Sequence, residues 1–145
     1  MNATELLKND HKEALAIIEQ LESAGDGAPD MTLFNQLKNA LTLHTKLEEK
    51  FLYPALQNFD ETRDQVEESY EEHREVDELL AKMSTPGEEW NDQLDELKDD
   101  LEHHIDEEEN EMFPKAQTLL GQTRLEEMGR QMQQMKQQGK AATAK

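Results

Sequence analysis

The chain has 145 residues and a formal net charge of −19, with 34% of residues charged and 34% hydrophobic. This length favours one domain with a modest core, and an acidic surface repels phosphate backbones and anionic membranes, so neither nucleic acid nor membrane is an expected partner. Cysteine is absent, which excludes disulfides, thiolate zinc sites and thiol catalysis.

No apolar run approaches the roughly 20 residues of a spanning helix, and the N-terminus lacks a signal-peptide core. A soluble, cytoplasmic protein is the expectation. A composition this polar also suits a disordered chain, but its periodicity argues for helices. Residues 5–23 form a first helix capped by Asn2 or Thr4. Its seam is Leu7, His11, Ala14, Ile18 and Leu21, spaced by threes and fours. Residues 25–30 are a turn by composition, and Asp30 caps the next helix. That second helix covers 31–58, with a seam of Phe34, Leu37, Leu41, His44, Glu48, Phe51 and Ala55. Pro54 is expected to kink it or end its regular part.

A break at 59–62 leads to a third helix, 62–83, capped by Asp60 or Thr62. Its inward stripe takes Val66, Ser69 or Tyr70, His73, Val76 or Asp77, Leu80 and Met83. Residues 84–87 turn the chain into a fourth helix that reaches about residue 116. Its seam is Trp90, Leu94, Leu97, Leu101, His104, Glu108 and Met112, which leaves His103 one position off the stripe. The remainder, 117–145, is rich in Gln, Met and Lys. Leu125, Met128, Met132 and Met135 keep helical spacing, so a fifth helix over 123–137 packs on the bundle, meets a protein partner, or frays. Residues 139–145 are expected to be disordered. The predicted fold is all-α: an up-down-up-down four-helix bundle over 1–116, then a C-terminal helix and flexible tail over 117–145.

One stretch occurs twice. Residues 41–54 read Leu-Thr-Leu-His-Thr-Lys-Leu-Glu-Glu-Lys-Phe-Leu-Tyr-Pro, and 101–114 read Leu-Glu-His-His-Ile-Asp-Glu-Glu-Glu-Asn-Glu-Met-Phe-Pro. His44 and Glu48, like His104 and Glu108, stand one turn apart on one helix face. In an antiparallel hairpin, residues equidistant from the turn lie at one height. His11 and His44 are equidistant from a point within 25–30, His44 and His73 from one beside Phe59, and His73 and His104 from one just past Gly87. Four histidines, one per helix, therefore meet at one level, with Glu48 and Glu108 a turn away on one side.

Two interior carboxylates repel each other and resist desolvation; a multivalent cation removes both problems. Four imidazoles and two carboxylates exceed what a tetrahedral zinc site needs, and imidazole disfavours calcium or magnesium. Bridging carboxylates in a bundle suit two metals, iron or manganese above all. The other acidic runs, 67–68, 71–72 and 106–109 apart from Glu108, read as solvated faces.

These residues resemble the hemerythrin-like proteins of the HHE cation-binding type. The matching elements are Asn9-Asp10-His11, His44 and Glu48 with Leu52-Tyr53-Pro54, Glu72-His73, and His104 and Glu108 with Met112-Phe113-Pro114, over about residues 5–116. The resemblance implies two iron ions in an oxo- or hydroxo-bridged di-iron centre. It implies His11 and His44 on one iron, His73 and His104 on the other, and Glu48 and Glu108 as bridges. The oxygen-carrying members have a further histidine one turn after the third-helix histidine; here that position is Asp77, which ligates, hydrogen-bonds a ligand or faces solvent. The carriers also bridge through an aspartate five residues after the last histidine, whereas His104 and Glu108 are four apart. Members without the fifth histidine are associated with peroxide decomposition, nitric-oxide or oxygen response, and iron handling. The implied partner is therefore oxygen, peroxide or nitric oxide, with metal buffering and a metal-stabilised interaction module as alternatives. Tyr53 is expected to pack beside Pro54, and Tyr70 to be a packing aromatic.

Overall fold

The computed structural model describes residues 1–25 and 27–143, and side chains through residue 139. Helix α1 spans Ala3–Glu22. Asn2 caps it, its side chain accepting from the backbone N–H of Glu5 at 3.0 Å. Helix α2 spans Met31–Leu47, with the Asp30 carboxylate accepting from the Leu33 N–H. A π-helical turn, Glu48–Leu52, then leads into α3, Tyr53–Gln57. Helix α4 is Arg63–Met83 and α5 is Trp90–Glu107. A second π turn, Glu108–Met112, leads into α6, Phe113–Leu120. Helix α7 covers Gln122–Thr143.

Joined through their π turns, α2–α3 and α5–α6 are single long arms, so the bundle has four antiparallel members in the predicted order. Two features tie its turns. Thr62 does not cap α4 through its side chain; its hydroxyl instead donates to the Leu56 carbonyl at 2.5 Å. The Trp90 indole donates to the Met83 carbonyl at 2.9 Å and meets the Phe34 ring edge-on, closing the α4–α5 turn.

The π turns correct the expected seam. Proline at 54 and 114 cannot donate to the carbonyl four residues back, and each helix accommodates this by widening rather than stopping. The Tyr53 N–H bonds to the Glu48 carbonyl, and the Phe113 N–H to that of Glu108, both across five residues. One extra residue in the turn rotates everything after it. Phe51, expected in the seam, is only half-buried, whereas Leu52, Tyr53 and Leu56 are fully enclosed. In α4, Ser69 and Val76 take the inward places; Tyr70 is half-buried and Asp77 exposed.

The core has two apolar halves. One holds Ala14, Ile18, Phe34, Leu37, Leu80, Met83, Trp90 and Leu97. The other holds Leu7, Leu47, Leu52, Tyr53, Val66, Met112 and Phe113, and α7 adds Leu125, Met128 and Met132 to it. The methionine seam of α7 therefore packs on the bundle. Gly121, at φ 83°, makes the turn that folds α7 back. Gly129 lies so close to Met1 and Asn2 that a Cβ would overlap the Met1 carbonyl oxygen. Helix α7 runs to Thr143 rather than ending before residue 139, because packing against α1 and Leu43 extends it. Asp26, in the first predicted turn, and Ala144 and Lys145, in the expected tail, lie outside the described residues.

Candidate metal centre

Between the two apolar halves sits a polar layer. His11, His44, His73 and His104 are each at most 5% exposed, and Glu48 and Glu108 are fully buried. The rings of His11 and His44 are 4.9 Å apart, and those of His73 and His104 are 5.0 Å apart, so each hairpin contributes one pair, as the spacing predicts. All four Nε2 atoms face the two carboxylates. His11 Nε2 lies 3.1 Å from Glu108 Oε1, and His44 Nε2 3.2 Å from Glu48 Oε1. His73 Nε2 lies 3.0 Å from the same Glu48 oxygen, and His104 Nε2 3.3 Å from Glu108 Oε2.

Donor atoms close enough to share a cation fall into two buried groups: His11, His44, Glu48 and Glu108, and then Glu48, His73 and His104. Glu48 belongs to both. Within this layer His44 Nε2, His104 Nε2 and Glu48 Oε2 are buried without a hydrogen bond. Orphaned buried polar atoms are costly, and a cation in each donor group would satisfy all three. The residues present thus fit a metal, and their donor set, imidazole nitrogen with bridging carboxylate, suits iron.

The outward nitrogens show a second pattern. His11 Nδ1 donates to Glu109 at 2.7 Å, His44 Nδ1 to Asp10 at 3.0 Å, His73 Nδ1 to Glu49 at 2.7 Å, and His104 Nδ1 to Glu72 at 2.6 Å. Each carboxylate is the chain neighbour of a buried donor on its own helix, and each holds the histidine of the next helix. The links run from α1 to α2, to α4, to α5 and back to α1. A carboxylate on Nδ1 fixes the imidazole tautomer and aims Nε2 inward, the arrangement that metal-binding histidines use. Glu72 and Glu109, read from sequence as solvated acids, are therefore corrected: they belong to this ring. The sequence carries Asp10 only within the matching element Asn9-Asp10-His11 and gives Glu49 no role, because each stands one position off the seam. The available signal was adjacency, because Asp10-His11, Glu48-Glu49, Glu72-His73 and Glu108-Glu109 are all consecutive.

Tyr53 is a further correction. It is fully buried, and its hydroxyl donates to Glu108 Oε2 at 2.7 Å and lies 3.1 Å from His73 Nε2. The π turn puts it there. Burial, then the charge of Glu108, pushes its phenol well above the ordinary range, so it keeps its proton. Its counterpart in the repeat, Phe113, stacks on His11 at 6.0 Å. Tyr70 packs edge-on against Tyr53, as expected.

Among protein groups alone, burial pulls His44 down, but Glu48 and then Asp10 outweigh it, and His44 is raised to about 10. His73 and His104 are also raised, burial being overcome by Glu48 for the first and by Glu108 for the second. Burial raises Glu48, yet His44 and its hydrogen bonds bring it well below the carboxylate range. On the other side of the histidines lies a cavity of about 30 Å³, lined by the four imidazoles and by Ala14, Leu41, Val76 and Leu101. That is room for one or two water-sized molecules. Asp77 does not line it and belongs to neither donor group; Val76, one residue earlier, takes the inward place. His103 is 67% exposed and pairs with Glu107.

The sequence model of the hemerythrin HHE cation-binding domain matches residues 2–116. The chain belongs to that family. A crystal structure of a hemerythrin HHE cation-binding domain-containing protein from Mycobacterium kansasii superposes with a TM-score of 0.83, at 29% identity, covering 99% of this chain and 91% of that one. A hemerythrin-like protein of Schizosaccharomyces pombe is 31% identical over 110 residues, 72% of this HHE chain and 54% of that protein. A protein described as a DNA nickase, from a Nostoc species, is 27% identical over 130 residues, 88% of this chain but only 37% of the nickase. The chain thus spans about half or less of the length of these two relatives. Among the described residues, no helix is long and apolar enough to cross a membrane.

Proposed function

We propose that this HHE domain holds a di-iron centre that binds or reacts with a small oxidant: oxygen, peroxide or nitric oxide. His11 and His44 would hold one ion and His73 and His104 the other, with Glu48 and Glu108 between them. The observation that carries this reading is the pair of buried donor groups sharing Glu48, with a small cavity on the opposite face of the same imidazoles. Two irons so placed supply one-electron changes at neighbouring centres and open positions for a small ligand.

The chain's own residues do the rest. The ring of Asp10, Glu49, Glu72 and Glu109 holds each imidazole in one tautomer. Ala14, Leu41, Val76 and Leu101 give the cavity apolar walls, which favour a small, weakly hydrated molecule over water. Tyr53 holds a proton at Glu108 Oε2, beside His73 and on the carboxylate side of the imidazoles rather than in the cavity, where it would fix that buried carboxylate by a hydrogen bond. Catalase-like decomposition of peroxide is the enzymatic form of this reading. DNA nicking is not carried over from the Nostoc relative, because a charge of −19 opposes a phosphate backbone.

Metal analysis of anaerobically purified protein, followed by stopped-flow spectra with oxygen, peroxide and nitric oxide, tests the proposal. About two irons per chain and new charge-transfer bands are expected, and His73→Ala should abolish those bands. Bands and bound iron that survive His73→Ala unchanged would show the site assignment to be wrong. Ready, reversible metal loss to modest chelator with no response to any oxidant would favour metal buffering instead.

A further inference from the structure

We propose that Lys136 of α7 is a positioning residue of the metal centre, acting through Asp10 on the His44 imidazole. The inference rests on the di-metal reading above and adds a residue outside the family's shared pattern: the family model ends at residue 116. Lys136 Nζ donates to Asp10 Oδ1, and Asp10 Oδ2 accepts from His44 Nδ1 at 3.0 Å. A line of hydrogen bonds therefore runs from the C-terminal helix to an atom that faces the buried donors.

The sequence places Lys136 there deliberately. It stands one turn after Met132, which is buried in the core, so it continues the inward face of α7. A lysine at the end of such a seam ordinarily extends its stem and leaves its ammonium in water. Here the side chain is 16% exposed and its Asp10 partner 10%. Two of the other ring carboxylates are more open, Glu49 at 40% and Glu109 at 31%, while Glu72 at 15% is nearly as enclosed as Asp10. Among the described ion pairs, Asp10 is the one ring member with a lysine or arginine against it. A buried ion pair contributes little net stability once desolvation is counted, so stability alone does not account for this one.

The geometry supplies a reason. A carboxylate on the bundle rim can turn to water and leave its histidine without a partner. With Lys136 on one oxygen, Asp10 keeps the other on His44 Nδ1, and His44 Nε2 stays aimed at the donor group it shares with His11, Glu48 and Glu108. Helix α7 thereby fixes one half of the centre and not the other, because among the described residues His73 and His104 have no such contact to it. Loss of an outer hydrogen bond of this kind typically weakens metal binding by about 10–100-fold.

The test measures transfer of iron from the full-length, metal-loaded protein to excess chelator, followed by the chelate's absorbance, for wild type, Lys136→Met, Lys136→Arg, Asp10→Asn and the double variant Lys136→Met/Asp10→Asn. Met135→Ala, at the neighbouring residue that packs against the core, controls for loosened packing, and thermal unfolding checks that each variant folds. Lys136→Met should release one of the two ions about tenfold or more faster and the other at the wild-type rate. Lys136→Arg should restore slow release, Lys136→Met should add nothing in the Asp10→Asn background, and Met135→Ala should behave as wild type. The inference is overturned if Lys136→Met matches wild type, if Lys136→Arg releases as fast as Lys136→Met, if the effect persists undiminished without Asp10, or if Met135→Ala releases iron as fast as Lys136→Met. A wild-type protein that takes up no metal overturns the di-metal reading and this inference with it; a wild type that holds two ions beside an unaffected Lys136→Met overturns this inference alone.

Discussion

Tyr53→Phe removes one oxygen atom and leaves the ring in place. The ring stays packed against Tyr70, 5.3 Å away, and against His73, 5.2 Å away, so little apolar burial changes. What disappears is the hydroxyl that donates to Glu108 Oε2 at 2.7 Å inside a fully buried site. A hydrogen bond to a charged group contributes about 1.5–3 kcal/mol. For a chain of this size about 1 kcal/mol moves the midpoint by about 2–4 °C, so Tyr53→Phe should lower the midpoint of metal-stripped protein by about 3–12 °C. Metal-loaded protein should lose less, because a cation also neutralises Glu108. Tyr70→Phe is the control: its hydroxyl makes no hydrogen bond among the described residues, and the change should stay within about 1 °C. Differential scanning calorimetry on stripped and loaded protein measures both. A stripped Tyr53→Phe protein that melts with wild type would refute the claim that this phenol carries a hydrogen bond to a buried carboxylate.

Three other outcomes follow from the same geometry. Glu48→Ala should empty both halves of the centre, because Glu48 belongs to both donor groups, whereas His11→Ala should spare the ion on the His73 side; metal-to-protein ratios near zero and near one, respectively, are expected. Proton competition should be visible: His44, raised to about 10, is protonated near neutral pH without metal, and His73 and His104 are shifted in the same direction, so adding ferrous ion to weakly buffered stripped protein should release protons. A raised folded-state pKa stabilises the stripped fold below the unfolded histidine value of about 6.5 and loses that contribution as pH rises through about 10 for His44, so the midpoint gap between loaded and stripped protein should widen from pH 6 to pH 10, and a constant gap contradicts the assignment. Gly129→Ala places a Cβ over Met1 and 2.9 Å from the Asn2 carbonyl carbon, which should cost about 1–3 kcal/mol by overpacking, read as a lowered unfolding midpoint.

The bundle was legible because its seams are long and regular. Leu7, His11, Ala14, Ile18 and Leu21 are all buried, and the equidistance of the histidines from the turns required only that the hairpins be antiparallel. The two π turns were not legible, because a seam counted by threes and fours assumes an unbroken α-helix. Pro54 announced a disturbance, but its effect was to insert a residue rather than to end the helix, and that one-residue shift moved Tyr53 from an expected packing role to Glu108. The ring carboxylates were hidden for a different reason. Amphipathic reading sorts side chains into core and surface, and Asp10, Glu49, Glu72 and Glu109 stand on the border with chemistry directed inward. Lys136 could not be assigned from sequence, since its role depends on where a helix of separate composition folds back.

The repeat itself explains why the two halves of the centre differ. Residue by residue, the second hairpin restates the first: His73 for His11, His104 for His44, Glu108 for Glu48, Glu72 for Asp10, Glu109 for Glu49, Phe113 for Tyr53. A strict two-fold site would give both ions the same environment. The symmetry breaks at the aromatic, where Tyr53 supplies a hydroxyl beside His73 and Phe113 supplies only a ring beside His11. It breaks again at the ring, where Asp10 meets a lysine from α7 and its counterpart Glu72 meets His103. The half built on His73 and His104 therefore has the proton donor, and the half built on His11 and His44 has the fixed outer support. Tyr53 stands on the carboxylate side of the imidazoles and Asp10 at the cavity, so the two asymmetries act on opposite faces of the layer. In the di-metal reading, that division would give the two ions unequal surroundings rather than interchangeable ones.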